Sequence, residues 1–456
     1  MWISTKTWGI AIALSLGALA ACGGQTQSTP VADQPTQAQA DEAPTATPTT
    51  VPTATPQPLT PTPQPPITPT VAAGRIVYAN DDGEILTVNS DGSSPVRISP
   101  DGGRFTWPFW SPDGSQIVFS GSSTVAGDSG ALVLYAYRVA DRQFNAIYTN
   151  QPGTGSIAAG LPHFPFWAPD GGRLAFFASE LQGLTLLVTA REVGDGAGVV
   201  LRNAPLYAAW SSDSNSLLVH GGVDHYLVRF DGGFPFVNLG VQGAGYRAPA
   251  WAPTGDRFVF VSTEVTGTES LYMAHPDRDD WTLLDIVDRE VAFAWSPDGR
   301  LLAVAESELT GGIPYNGIEF YSAGGVRQPM RLDDVVVAFF WSPDSTKLAY
   351  VTPTETGGVL RWMVLDLEEG VGRSLVDFTA SGAQRTLFQF FDQFVYSSSP
   401  WSPDSTALVF AGEVVDDAVS ASLDLQSAAR IFVVDVGPDP QAEPIVQGFI
   451  ASWSPR

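Results

Sequence analysis

From Arg75 to the C-terminus, apolar residues come in short runs broken by Gly, Asp, Ser and Pro. Gln116-Ile117-Val118-Phe119, Arg173-Leu174-Ala175-Phe176, Arg257-Phe258-Val259-Phe260, Lys347-Leu348-Ala349-Tyr350 and Ala407-Leu408-Val409-Phe410 are alike: a polar or small start, then an apolar, aromatic-tipped run. Such runs, bounded by turn residues, predict β-strands. Each follows a copy of one phrase. Trp110-Ser111-Pro112-Asp113-Gly114 and Trp295-Ser296-Pro297-Asp298-Gly299 are full copies. Trp167, Trp341 and Trp401 open copies changed at one position, and Trp210 and Trp251 open copies changed at two. Trp453-Ser454-Pro455 starts another. Pro presets φ at the second position of a turn, Asp tolerates the third, and Gly accepts the left-handed geometry that follows. The phrase therefore predicts a strand running into the Trp, a tight reversal, and a strand leaving.

Successive tryptophans of the phrase lie 57, 43, 41, 44, 46, 60 and 52 residues apart. The unit around Trp251 holds four strand signals, at Ala248–Trp251, Arg257–Ser262, Ser270–Ala274 and Trp281–Leu284. Four strands per unit of about 40–45 residues is the pattern of a propeller blade. At the start, Arg75–Tyr78, Glu84–Val88 and Val96–Ile98 match second, third and fourth strands with no first; Gly448–Trp453 supplies one. The expected fold is all-β: an eight-bladed β-propeller of four-stranded antiparallel sheets, closed by N-terminal strands pairing with the C-terminal strand. Seven blades is the alternative, if the Trp210 unit, which lacks the turn Pro, is not a blade. No amphipathic helix is expected after residue 19.

The Trp-Ser-Pro-Asp-Gly phrase resembles the WD40-like (PD40) repeats of TolB-type propellers, over about 380 residues. The resemblance implies a propeller and leaves activity open. TolB itself is periplasmic, with a six-bladed propeller and a separate N-terminal domain. This chain has more repeats and a different N-terminus. A TolB-like part in envelope assembly is one reading of the likeness.

Composition narrows the partners. Acidic residues number 48 and Lys plus Arg 23, a net charge of −25. That disfavours nucleic acid and docking on anionic lipid through a basic patch. The one cysteine, Cys22, rules out a disulfide within the chain and a multi-cysteine zinc site. Lys6 precedes an apolar run from Trp8 to Leu19, the length of a signal h-region and too short to span a bilayer. The run ends Leu19-Ala20-Ala21-Cys22, which resembles the lipobox of bacterial lipoproteins. The resemblance implies that Cys22 becomes the N-terminus and carries diacylglycerol. Residues 23–72 have no Lys or Arg and are dense in Thr, Pro, Gln and Ala, a composition that predicts a disordered, polyproline-like spacer. It reads equally as an O-glycosylated stalk or an unmodified tether. The expected layout is a signal peptide at 1–21, lipidated Cys22 and linker at 22–73, and a propeller at 74–456. The protein is expected to be a monomer, held to a bacterial membrane on its extracytoplasmic side (cell surface or periplasm), with no cofactor.

Candidate chemistry is sparse. Gly127-Asp128-Ser129-Gly130 resembles the nucleophile segment of trypsin-like proteases but lacks that family's His segment, and it reads as a loop. His220 and His225 are possible paired ligands, or polar residues at a strand end and in the loop after it. Asp81-Asp82-Gly83 and Asp91-Gly92 read as hairpin turns. If the strand entering each Trp lines a central channel, the residues just before it form one rim. That rim contains Arg104, Trp107, His163, Phe164, Tyr207, Tyr246, Arg247, Arg289, Glu290, Asp333, Asp334, Phe394 and Tyr396. Aromatic and Arg side chains around a funnel suit recognition of a protein, peptide or glycan. A hydrolase or lyase is the alternative, with Asp333, Asp334 and Glu290 as its nearest acids.

Overall fold

The computed structural model describes residues 74–123, 131–150, 162–180, 183–190, 197–230, 236–243, 247–278, 281–287, 290–307, 314–415 and 429–456. Cys22, the signal and linker segments, Tyr246, Arg289 and the Gly127–Gly130 cluster lie outside them.

Each Trp phrase opens one antiparallel unit. The Trp110 sheet runs Arg104–Trp110, Gln116–Ser123, Ala131–Arg138 and Gln143–Asn150, each strand paired with the next. Trp167, Trp210, Trp251 and Trp295 head four-stranded meanders of the same order. The Trp210 unit forms its sheet without the turn Pro: Leu206–Trp210, Ser216–Gly221, Asp224–Arg229 and Phe236–Gln242. Arg75–Ala79, Ile85–Asn89 and Val96–Arg97 make three strands of another sheet, and Ile450–Trp453 is its fourth, with Ile76 opposite Trp453 and Ala79 opposite Ile450.

Burial is concentrated in the first two strands of each sheet and lowest in the fourth. In the Trp295 sheet Val291–Trp295 is buried throughout, Leu301–Glu306 is buried except at its ends, and Arg327–Leu332 alternates with solvent. First strands of adjacent sheets also touch: Ile450–Trp453 meets Arg104–Trp110, which meets His163–Trp167, and Ala250–Trp251 meets both Leu206–Trp210 and Val291–Trp295. The Trp strands are therefore the inner ones, and apolar side chains fill the space between sheets. This is the packing of a β-propeller.

The turn phrase is held by more than its Pro and Gly. Ser111 Oγ donates to Asp113 Oδ1 at 2.7 Å and accepts from the Gln116 N–H at 2.9 Å, while the Ser115 N–H donates to Asp113 Oδ1 at 3.1 Å. Ser342–Asp344 and Ser402–Asp404 repeat this at 2.5 and 2.6 Å. Where Ser replaces the final Gly, it keeps the left-handed backbone, with φ of 64° at Ser214, 62° at Ser345 and 60° at Ser405. These serines reach sideways. Their hydroxyls accept from the N–H of Asp170, Asp298 and Asp344 respectively, each in the preceding turn, at 2.9, 3.0 and 3.1 Å. The departures from the phrase thus link neighbouring turns. The phrase Trp does the same deeper in: the indole N–H of Trp210, Trp341 and Trp401 donates to the carbonyls of Phe166, Ala294 and Phe340, each just before the previous sheet's Trp.

One unit departs from the expected pattern. The stretch before Trp401 is helical, with α1 at Gly382–Gln389 and α2 at Phe391–Phe394, where an inner strand and no helix were expected. Ser381 caps α1 by accepting from the Gln384 N–H, and Gln384, Leu387, Phe388 and Phe391 fall at helical spacing on the buried face. The inner strand of this unit shrinks to a single bridge, Trp401 to Leu408. Its second strand, Ala407–Val414, pairs instead with the end of Val371–Ala380, the outermost strand of the Trp341 sheet. The two units share a seven-stranded sheet.

Candidate functional site

The helical insertion crosses the space that the inner strands enclose. Phe394 stacks on Trp107 at 5.1 Å between ring centroids, on Phe109 at 6.0 Å, and packs on Phe164 at 4.6 Å. Phe391 packs on Phe339 at 4.7 Å and meets Tyr315 edge-on. Trp107 and Phe164 each precede their phrase Trp by three residues, and each lies in a β-bulge with left-handed backbone, φ 53° and 47°. A bulge re-aims a side chain, and a bulky residue at positive φ is costly unless its surroundings hold it. Two adjacent inner strands adopt the same costly bend to bring an aromatic ring onto α2.

Beside this aromatic contact lies a charged cluster. Arg247 is only 5% exposed; it donates to Glu269 at 3.0 Å and to Glu290 in a short ion pair. Its carbonyl is within hydrogen-bond distance of His220 Nδ1, at 2.8 Å. Asp392 of α2 is close enough to feel Arg247 and Glu290, and burial raises its carboxyl to about 6 despite hydrogen bonds and the Arg247 charge that favour ionisation. Burial first, then the charges of Asp392 and Glu290, push the Tyr315 hydroxyl up. The rings hold α2, and the nearby Arg247 charge offsets only part of the cost of burying Asp392.

The expected rim residues divide among these environments. Trp107 and Phe394 meet directly; Phe394 is buried against the channel wall and is not a solvent-facing rim residue. Arg247 is likewise buried, held in ion pairs with Glu269 and Glu290. His163 packs edge-on against Phe164 at 5.2 Å. Tyr207 is buried 6.0 Å from His220. Arg104 stays exposed and donates to the Asp81 carbonyl at 2.9 Å. Asp333 is exposed and pairs with Arg331, in a polar recess of about 570 Å³ that also contains Asp285, Glu306, Glu319 and Arg327. Asp334 accepts from the Tyr350 hydroxyl at 2.5 Å. Glu290 belongs with Arg247 instead. Glu269 and Asp392, which the sequence did not single out, also lie in this cluster; Asp392 sits on a helix that the apolar run around it disguises.

His220 lies one residue from the end of Ser216–Gly221, but His225 is in the next strand, Asp224–Arg229, and not in the loop. They are cross-strand partners, fully buried, with rings stacked at 4.7 Å and 17°. Gly243 lies against them, with no room for a Cβ. Burial, then the neighbouring ring, lowers His225 to about 3, so both are neutral at pH 7. Among the described residues no group of three or more His, Cys, Asp or Glu is placed to hold a metal ion.

At the turn end of the inner strands the space opens. A cavity of about 420 Å³ is walled by the phrase residues of several units, among them Trp110, Trp167, Trp295, Trp341, Trp401 and Trp453. Pro112, Pro253, Pro297, Pro343, Pro403 and Pro455 also line it. Val395–Ser399, descending from α2, forms its floor; there Tyr396 accepts from the Trp295 N–H at 3.1 Å and remains 46% exposed. No charged side chain is among those lining it.

No family model matches the chain, and no curated protein matches it. Solved structures do. Dihydro-heme d1 dehydrogenase NirN in complex with DHE is similar with a TM-score of 0.54 at 13% identity, over 86% of this chain and 78% of that one. An oligogalacturonate lyase in complex with manganese gives 0.47 at 14%, over 81% and 99%. TolB from Acinetobacter baumannii gives 0.34 at 16%, over 57% of this chain and 65% of that one. At such identities the likeness carries the fold alone. The chain is an all-β protein of repeated four-stranded sheets, arranged as in a propeller.

Proposed function

We propose that this protein is a lipid-anchored, extracytoplasmic eight-bladed propeller that binds a protein, peptide or glycan without transforming it. The eighth blade is the Trp401 unit, three strands and a bridge, and the pairing of Ile450–Trp453 with Arg75–Ala79 closes the ring. The observation that carries the binding role is the insertion itself. With α2 held by Trp107, Phe109 and Phe164, the chain itself occupies this part of the channel, and recognition falls to the rim around it, where Arg104 and Asp333 face solvent. Among the described residues no helix is long and apolar enough to cross a membrane, and the Leu19–Cys22 lipobox supplies the anchor. Diacylation of the Cys22 thiol, two acyl chains at about 0.8 kcal/mol per buried methylene, holds firmly.

The test is an affinity screen of the purified chain against peptide and glycan arrays. Binding is expected to fall at least tenfold in Arg104→Ala or Asp333→Ala; a ligand indifferent to both places recognition elsewhere. Metabolic labelling with a radioactive fatty acid should mark the native chain and not Cys22→Ser.

One observation favours a second reading, a hydrolase or lyase on peptide or polysaccharide. Asp392, raised to about 6, stands near Glu290 beside an Arg, a pairing that can divide acid and base roles. Turnover of a polysaccharide or peptide, abolished in Asp392→Asn and Glu290→Gln, would establish it in place of the binding role.

A further inference from the structure

We infer that the cavity at the turn end of the inner strands binds a neutral saccharide, with the Tyr396 ring as its platform. The site is separate from the rim and does not depend on it: Arg104 begins the strand that Trp110 ends, and Trp110 is the residue that walls the cavity. Three observations converge. The first is a bare ring in an enclosed place. Tyr396 is 46% exposed, yet it stands on the cavity floor within a collar of phrase tryptophans that are themselves buried, Trp295 at 2% and Trp401 at 1%. Its hydroxyl accepts from the Trp295 N–H at 3.1 Å, which fixes the ring's orientation. A ring already held in place loses little freedom when a flat partner covers it.

The second is the polar chemistry of the wall. No charged side chain is among those lining the cavity, so a charged ligand would enter without a counter-charge. The side chains offer hydroxyls instead. Burial pushes the Tyr396 hydroxyl up, so it keeps its proton, and no described residue accepts it. Ser452, 3% exposed and part of the wall, has a hydroxyl with no partner among the described residues. A purely apolar ligand would leave these groups unmet. A neutral sugar suits both features: its C–H faces pack on rings, and its hydroxyls donate and accept. The third is shape. A volume of about 420 Å³ falls within the ~300–1,000 Å³ of pockets that enclose a small ligand. Val395–Ser399 closes the floor, and phrase residues of several units close the sides. A straight peptide needs a groove open at both ends; a recess closed below suits the end of a saccharide chain.

The experiment titrates the full chain by calorimetry with four neutral trisaccharides: maltotriose, cellotriose, mannotriose and triacetylchitotriose. Trigalacturonate is the charged control, and a hexaproline blocked at both ends is the peptide control. At least one neutral trisaccharide should bind, and trigalacturonate should bind about tenfold more weakly or not at all. Tyr396→Ala, and Ser397→Trp, which fills the floor, should each weaken binding by about tenfold or more. Tyr396→Phe keeps the ring and should weaken it by about two- to tenfold. Ser397→Trp and Tyr396→Phe, each with a melting temperature matching the native chain, carry the test if Tyr396→Ala does not fold. No binding of any neutral trisaccharide overturns the site. Equal binding of trigalacturonate overturns its chemistry, and binding indifferent to the floor variants overturns its location. Displacement of the bound sugar by hexaproline would assign the cavity to peptide and overturn the proposal.

Discussion

Replacing Phe394 with alanine removes a buried ring that touches three others, at centroid distances of 5.1, 6.0 and 4.6 Å. A buried Phe→Ala change costs about 3–5 kcal/mol, of which a stacked pair contributes about 0.5–1.5 beyond its buried area. Against this, Trp107 and Phe164 lose the ring that holds them at φ 53° and 47°. Relaxing two left-handed residues returns up to about 1–2 kcal/mol each. With only about half of that strain released, the net expectation is a loss of about 2–3 kcal/mol, measured by guanidinium unfolding with tryptophan fluorescence and circular dichroism together. Two further variants isolate the cause. Trp107→Gly suits the positive φ and should be more stable than Trp107→Ala by about 1 kcal/mol. The cycle Trp107→Ala with Phe394→Ala should show a coupling of about 1 kcal/mol. A loss under 1 kcal/mol with zero coupling would refute the view that the bulged aromatics anchor α2.

Trp341→Phe should destabilise by about 0.5–1.5 kcal/mol through loss of the indole bond to the Ala294 carbonyl, more than Trp295→Phe, whose indole N–H donates to no partner among the described residues; chemical denaturation compares them. Ser345→Ala removes the inter-turn bond while keeping a strained φ of 62°, so it should cost about 1–2 kcal/mol, and Ser345→Gly less, read from the shift in unfolding midpoint. Asp344 is held at about 2: burial opposes its ionisation, but hydrogen bonds from Ser342 and Thr346 outweigh it. Its contribution is complete above the unfolded value near 4 and is lost as pH falls through 2, so Asp344→Asn should flatten the acid limb of a stability–pH curve there. Asp392 has the opposite sign. Raised to about 6, it favours the fold below pH 4 and loses that contribution as pH rises through 6, so Asp392→Asn should make the chain more stable at pH 7 than at present, by thermal melting.

The sheets were legible because the phrase couples two signals of different origin, a turn chemistry and a Trp at constant offset. Even the Trp210 unit, without its Pro, forms four strands, since Ser211 and Asp213 still bond at 2.5 Å. The insertion was not legible as helix. Leu387-Phe388-Gln389-Phe390-Phe391 reads as another apolar strand leading into Trp401, and only the spacing of Gln384, Leu387, Phe388 and Phe391 separates the two periods. Charge at the rim misled for a related reason. Arg247 sits where a strand should begin, so exposure was expected, but two acids from different sheets, Glu269 and Glu290, converge on it, and that convergence is a property of the closed packing alone.

The fusion of two sheets has a mechanical side. Phe378, Thr379 and Ala380 pair with Val414, Glu413 and Gly412 as a three-residue ladder, whereas among the described residues the Trp295 and Trp341 units share only the Tyr315–Val336 bridge and other neighbours meet through side chains and single bonds. A pull on Arg75 and Arg456 loads the pairing of Arg75–Ala79 with Ile450–Trp453 first. Once that opens, the Trp341 and Trp401 units should come away as one piece, riveted by their shared ladder.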